Sequence, residues 1–141
     1  MSLTILVIDD MADVRLSANF LLSSHGYEII EAESPIQGLE LLKQQNVDLV
    51  LLDMNFSADT TSGQEGLDFL KRLAKVGISI PVIAMTGWSS IDLAVNSLQF
   101  GASDFIEKPW DNQRLLQIIS QQIQVTGLKK QNQRLRQQQL I

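Results

Sequence analysis

Short apolar runs alternate along this chain with segments in which apolar residues recur every three or four positions. Runs of Leu, Ile and Val bounded by polar residues are typical of strands buried on both faces of a sheet. The periodic segments predict helices, and a glycine marks the end of three of them, at positions 26, 77 and 101. The predicted strands are 3–8, 27–31, 49–53, 80–85 and 104–107, with one helix after each. This alternation predicts an α/β fold, a doubly wound parallel sheet of five strands with helices on both faces.

The same periodicity predicts how the helices meet the sheet. Ser34 followed by Pro35 indicates an N-cap and a first turn, from which the second helix runs to about Gln45. Apolar residues at spacings of three and four should form the buried face of each helix. For the second helix these are Ile36, Leu39, Leu42 and Leu41, and for the fourth they are Ile91, Ala94, Val95 and Leu98. For the last helix, which starts near Asp111, they are Leu115, Leu116, Ile118, Ile119 and Ile123.

Four of the predicted strands end in side chains that bind ions or phosphate. Asp9 and Asp10 follow the first, Asp53 ends the third, and Thr86 and Lys108 follow the fourth and fifth. Open α/β sheets bind ligands in the crevice outside the carboxyl ends of their strands, so we predict one site from these residues. Asp53, at the end of the most apolar run, is the candidate phosphoryl acceptor. Carboxylate attack on phosphorus needs charge neutralisation, for which Lys108 offers a positive charge and Thr86 a hydroxyl donor.

Three carboxylates at one rim repel one another and raise each other's pKa unless a cation lies among them. Mg²⁺ prefers oxygen ligands and keeps several of its waters. Asp10, Asp53 and a backbone carbonyl near Asn55 would bind it directly, and Asp9 would act through water. Zinc fits poorly, because the chain has a single histidine, His25, and no cysteine.

The length and charge of the chain limit its function. With 141 residues it fits one domain of ordinary size, and a formal charge of −5 at pH 7 disfavours nucleic-acid binding by this segment. The absence of cysteine excludes disulfides. No apolar run approaches the roughly 18 residues of a membrane span, and no basic leader precedes the first strand. We therefore expect a soluble, cytoplasmic protein.

The composition changes near the C-terminus. Residues 128–141 are rich in Gln, Lys and Arg, and Leu128 and Leu135 are seven positions apart. Such a segment is typical of a helical linker or of the start of a coiled coil. We therefore predict one domain over residues 1–126 and a helical linker over residues 127–141, truncated before an output domain.

Taken together, the residues at the strand ends resemble the receiver domain of two-component response regulators. The resemblance covers about residues 3–125 and rests on the order and spacing of Asp9-Asp10, Asp53, Thr86, Phe105 and Lys108-Pro109. It implies a flavodoxin-like sheet with strand order 2-1-3-4-5. It also implies that Asp53 accepts a phosphoryl group from the phosphohistidine of a sensor histidine kinase. The implied ligands of Mg²⁺ are Asp9, Asp10, Asp53 and the Asn55 carbonyl.

The resemblance further implies a conformational switch. Thr86 would move toward the phosphoryl group, and Phe105, which its strand otherwise predicts to be a core residue, would turn inward. The surface around the fourth helix and the fifth strand, called the output face below, would then change shape. The implied partners are the sensor kinase and a second copy of the chain, bound through the output face or the C-terminal helix.

One segment departs from the family pattern. The family commonly has a short turn with proline soon after the acceptor, whereas residues 56–65 form a longer loop rich in Ser and Thr. Together with the Gln-rich C-terminal segment, this loop resembles the receivers of NtrC-type transcriptional activators. Those proteins carry an ATPase domain and a DNA-binding domain downstream, which implies control of transcription.

Two other functions stay open at this point. An aspartyl phosphatase of the haloacid dehalogenase kind has a second Asp two residues after its nucleophile as acid and base, and here that position is Asn55. An interaction module would keep the fold without accepting phosphate. Reaction with acetyl phosphate separates these hypotheses from the regulatory one.

Overall fold

The computed structural model describes residues 3–54, 64–87 and 91–139, with side chains up to residue 127. Within these ranges five strands alternate with five helices. The strands are β1 (Thr4–Ile8), β2 (Glu28–Ala32), β3 (Leu49–Asp53), β4 (Val82–Gly87) and β5 (Asp104–Lys108). The helices are α1 (Ala12–Ser23), α2 (Pro35–Gln44), α3 (Gln64–Val76), α4 (Ile91–Gln99) and α5 (Asn112–Gln139). Most of the predicted loop 56–65 lies outside the described residues, and its last two positions already belong to α3.

The strands form one parallel sheet in the order β2-β1-β3-β4-β5. This confirms the predicted doubly wound fold and its 2-1-3-4-5 order. The register pairs Ile8 with Leu52 and Asp53 with Met85, so the carboxyl ends of the three inner strands lie side by side. The sheet therefore brings the residues at the carboxyl ends of β1, β3 and β4 to one rim.

Both faces of the sheet are covered, which explains why the strands are continuous apolar runs. Alternate residues of each strand enter different cores. Leu6, Val50 and Leu52 pack with α2, α3 and α4 on one face, whereas the residues between them pack with α1 and α5 on the other. All five residues of β3 are buried, so packing on both faces holds the strand in place and fixes the position of its last residue, Asp53, at the rim.

The predicted helix ends are confirmed where they depend on local chemistry. Gly26, Gly77 and Gly101 follow α1, α3 and α4 with φ values of 89°, 75° and 113°, a region that side chains disfavour. The hydroxyl oxygen of Ser34 accepts a hydrogen bond from the Gln37 N–H at 3.2 Å and so caps α2.

The predicted buried face of α4 is wrong. Ile91, Val95 and Leu98 are 72%, 48% and 40% exposed, and of the four predicted positions only Ala94 is buried. The helix instead turns Leu93, Ala94 and Ser97 toward the sheet. The Ser97 hydroxyl donates to the Leu93 carbonyl at 2.7 Å, which removes the cost of burying a polar group. The helix is apolar on more than one side, so periodicity alone does not choose the buried face.

The predicted face of α2 needs a similar correction, because Ile36 is 71% exposed. The helix buries Pro35 and Gly38, while Leu39 and Leu42 are partly buried. A Cβ at Gly38 would overlap the side chain of Ile8, so the glycine lets α2 approach β1 closely. Close approach at Gly38 therefore helps to set the orientation of α2.

The last helix, α5, continues from Asn112 to Gln139 without a break at residue 127. Its first part packs Leu115, Ile118 and Ile119 into the core, as predicted. The backbone of its last part stays helical as far as Gln139. Across the described ranges, no helix is both long enough and apolar enough to span a membrane.

Candidate functional site

Three carboxylates meet at the rim of the sheet, as the sequence predicted. Asp9 directly follows β1 and Asp53 ends the neighbouring β3, and both side chains are fully buried. Asp10 lies beside them and is partly exposed. One oxygen from each of the three carboxylates lies within 4.8 Å of the others. The cause is the parallel register, since the pair Ile8 and Leu52 places the next residue of each strand side by side.

The Lys108 side chain reaches this cluster from the end of β5. Its Nζ donates to Asp53 Oδ1 at 2.9 Å and to Asp9 Oδ2 at 3.2 Å, and the side chain is 16% exposed. The strand β4 lies between β5 and β3, so only a long side chain can cover the distance. One ammonium group thus bridges the ends of β1 and β3.

The surroundings of the cluster shift the pKa values of two of its groups. Burial raises the pKa of the Asp9 carboxyl, although the Met11 N–H, which donates to Asp9 Oδ1 at 2.9 Å, and Lys108 both oppose the rise. Burial also disfavours the Lys108 ammonium, but hydrogen bonds and charges from Asp53 and Asp9 outweigh it and raise the pKa of Lys108. Lys108 is therefore a permanent cation at neutral pH.

The donor set at this rim fits a hard divalent cation. It consists only of carboxylate oxygens, which Mg²⁺ prefers to nitrogen or sulfur. Three ionised carboxylates facing one ammonium group leave two negative charges, and one divalent cation would balance them. Asp9, Asp10 and Asp53 are therefore the residues that could hold such an ion.

The remaining predicted site residues occupy different surroundings. Thr86 is buried in β4, one residue after Met85, the register partner of Asp53. Phe105 is 37% exposed, so the expectation of a core residue is wrong. Its strand, β5, is at the edge of the sheet and pairs with β4 alone. Asn55, the predicted carbonyl ligand, lies outside the described residues.

Two residues near the site escaped the sequence analysis. The Arg15 guanidinium donates from Nη1 to the Asp9 carbonyl at 2.6 Å. A Cβ at Gly66, in the first turn of α3, would lie 2.5 Å from Met54 Sδ, directly after the acceptor strand. In the sequence, Arg15 could be noticed only as an arginine five positions after Asp10, and Gly66 only as a glycine within an apolar helical pattern. Both patterns are common in surface helices, so neither indicated a role at the site.

Comparison with known proteins identifies the family. The family model for the response regulator receiver domain matches residues 5–120. An NtrX-like response regulator of Rickettsia bellii is 33% identical over 128 residues, which are 91% of this chain and 26% of that protein. Sporulation initiation phosphotransferase F of Bacillus subtilis is 33% identical over 107 residues, covering 76% of this chain and 82% of that protein.

A solved structure gives the same result for the fold. The crystal structure of NtrX from Brucella abortus superposes with a TM-score of 0.86 at 30% identity, covering 96% of this chain and 30% of that one. In both comparisons with NtrX proteins, the chain spans less than a third of the length of the other protein. The family match extends over most of the chain and includes the acidic cluster and Lys108. This chain therefore belongs to the receiver domains of two-component response regulators.

Proposed function

We propose that Asp53 accepts a phosphoryl group from the phosphohistidine of a sensor histidine kinase. The observation that carries the proposal is the surroundings of the Asp53 side chain. It is fully buried at the end of the central strand, and its Oδ1 lies 2.9 Å from the Lys108 ammonium. A carboxylate held in this way faces a cation that can balance the charge of an incoming phosphoryl group.

The transfer would be a single displacement. A carboxylate oxygen of Asp53 forms a bond to phosphorus while the bond between phosphorus and the kinase imidazole nitrogen breaks. The products are an acyl phosphate on Asp53 and an imidazole leaving group, whose freed nitrogen takes up a proton from water to give neutral histidine. Lys108 would stabilise the phosphoryl oxygens through its charge, and Thr86 would donate a hydroxyl hydrogen bond from β4.

Asp9, Asp10 and Asp53 would hold Mg²⁺, with the Asn55 carbonyl as a further predicted ligand. When bound, the ion neutralises charge on the phosphoryl oxygens. The three side chains keep one oxygen each within 4.8 Å of the others, which supports a shared ion.

Phosphorylation would change the output face. A phosphoryl group brings about two negative charges and three acceptor oxygens to the rim. Thr86 would turn toward them, and Phe105 would move inward from its present half-exposed position. The helix α4, which contacts β5, exposes Ile91, Val95 and Leu98. The exposed apolar residues favour the proposal that a second copy of the chain binds the output face after phosphorylation has changed it.

The output of the longer protein would be control of transcription in the cytoplasm. Support comes from two relatives that are named transcriptional regulatory proteins, of whose length this chain covers 27% and 56%. Residues 1–126 would be the receiver domain and 127–141 the linker to an output domain. The continuous helix α5, which reaches Gln139, is consistent with such a linker.

The test is reaction with acetyl phosphate and Mg²⁺, followed by intact mass spectrometry. We expect one added phosphoryl group per chain, stable in acid and labile in base, and located at Asp53. Asp53→Asn should abolish it, whereas Asp92→Asn, on the exposed first turn of α4, should not. Repeated turnover of p-nitrophenyl phosphate would instead support an aspartyl phosphatase. An unchanged mass in a folded sample would support an interaction module.

A further inference from the structure

The carbonyl group of Asp9 occupies a position where the sheet supplies no donor. The last register pair of β1 and β2 is Ile8 with Ala32, and the Asp9 N–H still donates to the Ala32 carbonyl at 3.1 Å. In a parallel pair, the N–H and the carbonyl of one residue point toward the same neighbour, and their partners are two residues apart. The Asp9 carbonyl would thus require the N–H of Ser34. That residue is already the N-cap of α2, beyond the end of β2.

The guanidinium group of Arg15 takes the place of this missing donor. It reaches the Asp9 carbonyl at 2.6 Å from the second turn of α1. Its Nε donates to Glu31 Oε1 at 3.2 Å, and Nη2 lies 3.9 Å from Glu33 Oε1. The Arg15 side chain is only 12% exposed. Because acceptors at the ends of β1 and β2 hold different nitrogens, the planar guanidinium has one orientation.

The effect of Arg15 on the acidic cluster is mainly one of orientation. Its positive charge faces the carboxylates of Glu31 and Glu33, which largely offset it. The oxygen that it binds belongs to the peptide group joining Asp9 to Asp10. A peptide group is planar, so fixing this oxygen fixes the direction in which both residues leave the strand.

We infer that Arg15 is a positioning residue for divalent-cation binding at the rim. The inference rests on the proposed function, because it assigns Asp9, Asp10 and Asp53 to the cation. Without the guanidinium, the peptide between Asp9 and Asp10 loses its partner, and the two carboxylates no longer approach Asp53 in a fixed geometry. Residues that orient metal ligands in this way typically change metal affinity by about 10- to 100-fold when removed.

The experiment measures Mg²⁺ binding to the unphosphorylated chain by isothermal titration calorimetry. Arg15→Met should weaken binding by about tenfold, at the lower end of that range because Arg15 binds the main-chain carbonyl of Asp9 and not a ligating carboxylate. Arg15→Lys keeps the charge but cannot bridge β1 and β2, so it should lose most of the same affinity. Asn19→Ala is the matched control. It removes the 3.1 Å contact to Glu31 Oε2 and leaves the Arg15 contact to Asp9, so its affinity should equal that of the wild type.

A second measurement separates positioning from general loss of structure. With acetyl phosphate as donor, the Mg²⁺ concentration for half-maximal phosphorylation should rise by the same factor, while the maximal rate at saturating Mg²⁺ stays close to wild type. A purely structural role would lower thermal stability without this split. If Arg15→Met does not fold, Arg15→Lys and Glu31→Gln, which weakens the hold on the guanidinium, provide the same comparison.

The outcomes distinguish this inference from the proposed function. Wild-type affinity for Mg²⁺ in folded Arg15→Met and Arg15→Lys would overturn the positioning role, whether or not Asp53 is phosphorylated. Conversely, a wild-type chain that binds Mg²⁺ but never gains a phosphoryl group would overturn the proposed function. The affinity difference between wild type and Arg15→Met would still support the role of Arg15.

Discussion

Replacing Lys108 with methionine tests the electrostatic account of the site directly. The substitution keeps an unbranched side chain of similar length and removes the ammonium group. In the wild type, that group contacts two fully buried carboxylates, Asp53 at 2.9 Å and Asp9 at 3.2 Å. Lys108→Met therefore leaves the acidic cluster in place without its intramolecular cation.

The distances give the size of the effect. With an effective dielectric constant of about 20, the two contacts are worth about 6 and about 5 kcal/mol of attraction. Each pair of carboxylate oxygens within 4.8 Å contributes at least about 3.5 kcal/mol of repulsion on the same scale. Attraction and repulsion nearly balance in the wild type. Proton uptake and relaxation reduce the net loss, so we expect about 3–5 kcal/mol at pH 7, as for other buried ion pairs that lose one partner.

The assay is urea unfolding at pH 7 and pH 5, with and without Mg²⁺. The folded-state pKa of Asp9 is already raised by burial, and loss of the ammonium raises it further. A carboxyl group with a raised pKa in the folded state destabilises the fold least at low pH, where it is protonated. The free energy of unfolding then falls as the pH rises through that pKa. The deficit of Lys108→Met should therefore shrink at pH 5, and it should also shrink when Mg²⁺ replaces the missing charge.

The matched control is Lys43→Met. Lys43 lies 3.9 Å from Glu40, and both side chains are more than 60% exposed. Removing this exposed ion pair should change the free energy of unfolding by no more than about 0.5 kcal/mol. A loss in Lys108→Met that is independent of pH and of Mg²⁺, or no larger than that of Lys43→Met, would refute the reasoning.

Two further predictions concern the same rim. Asp9→Asn should raise the free energy of unfolding in metal-free buffer at pH 7, because it removes the charge of a buried carboxyl group whose pKa is raised by burial. The gain should vanish near pH 3.5, where the carboxyl group of the wild type is protonated. Calorimetry should show weaker Mg²⁺ binding by the variant. Gly66→Ala should cost about 1–3 kcal/mol in urea unfolding, because the new Cβ would lie 2.5 Å from Met54 Sδ and 2.7 Å from Met54 Cε in a closed core. Gly127→Ala, whose Cβ would meet nothing within 4 Å in α5, should instead gain up to about 1 kcal/mol.

The agreement between sequence and structure is best where the signal is local. In the described part of the chain, five strands and five helices form in the predicted order, and Ser34 and three glycines delimit helices as expected. These features depend on the period of apolar residues and on backbone chemistry within a few positions. The buried faces of α2 and α4 were predicted less well. They depend on which small side chains allow close packing, as Gly38 does against Ile8.

The site shows the same division. Residue types at the strand ends were enough to indicate Asp9, Asp10, Asp53 and Lys108, because carboxylates and a lysine at one rim suggest a particular chemistry. Their contacts could not be predicted in detail, because Lys108 meets Asp53 and Asp9 across 55 and 99 positions of the chain. The role of Arg15 was hidden for a related reason: it depends on β2 ending where the Asp9 carbonyl needs a donor.

By itself, therefore, the amino-acid sequence determined the alternation of strands and helices and the chemistry available at the strand ends, since both follow from residues close together in the chain. Only the tertiary structure decided which helix surfaces are buried, how far the Phe105 ring is exposed, and which donor serves each acceptor at the rim. The physical reason is that burial and hydrogen bonding at these positions arise from the packing of elements distant in sequence, which no local pattern encodes.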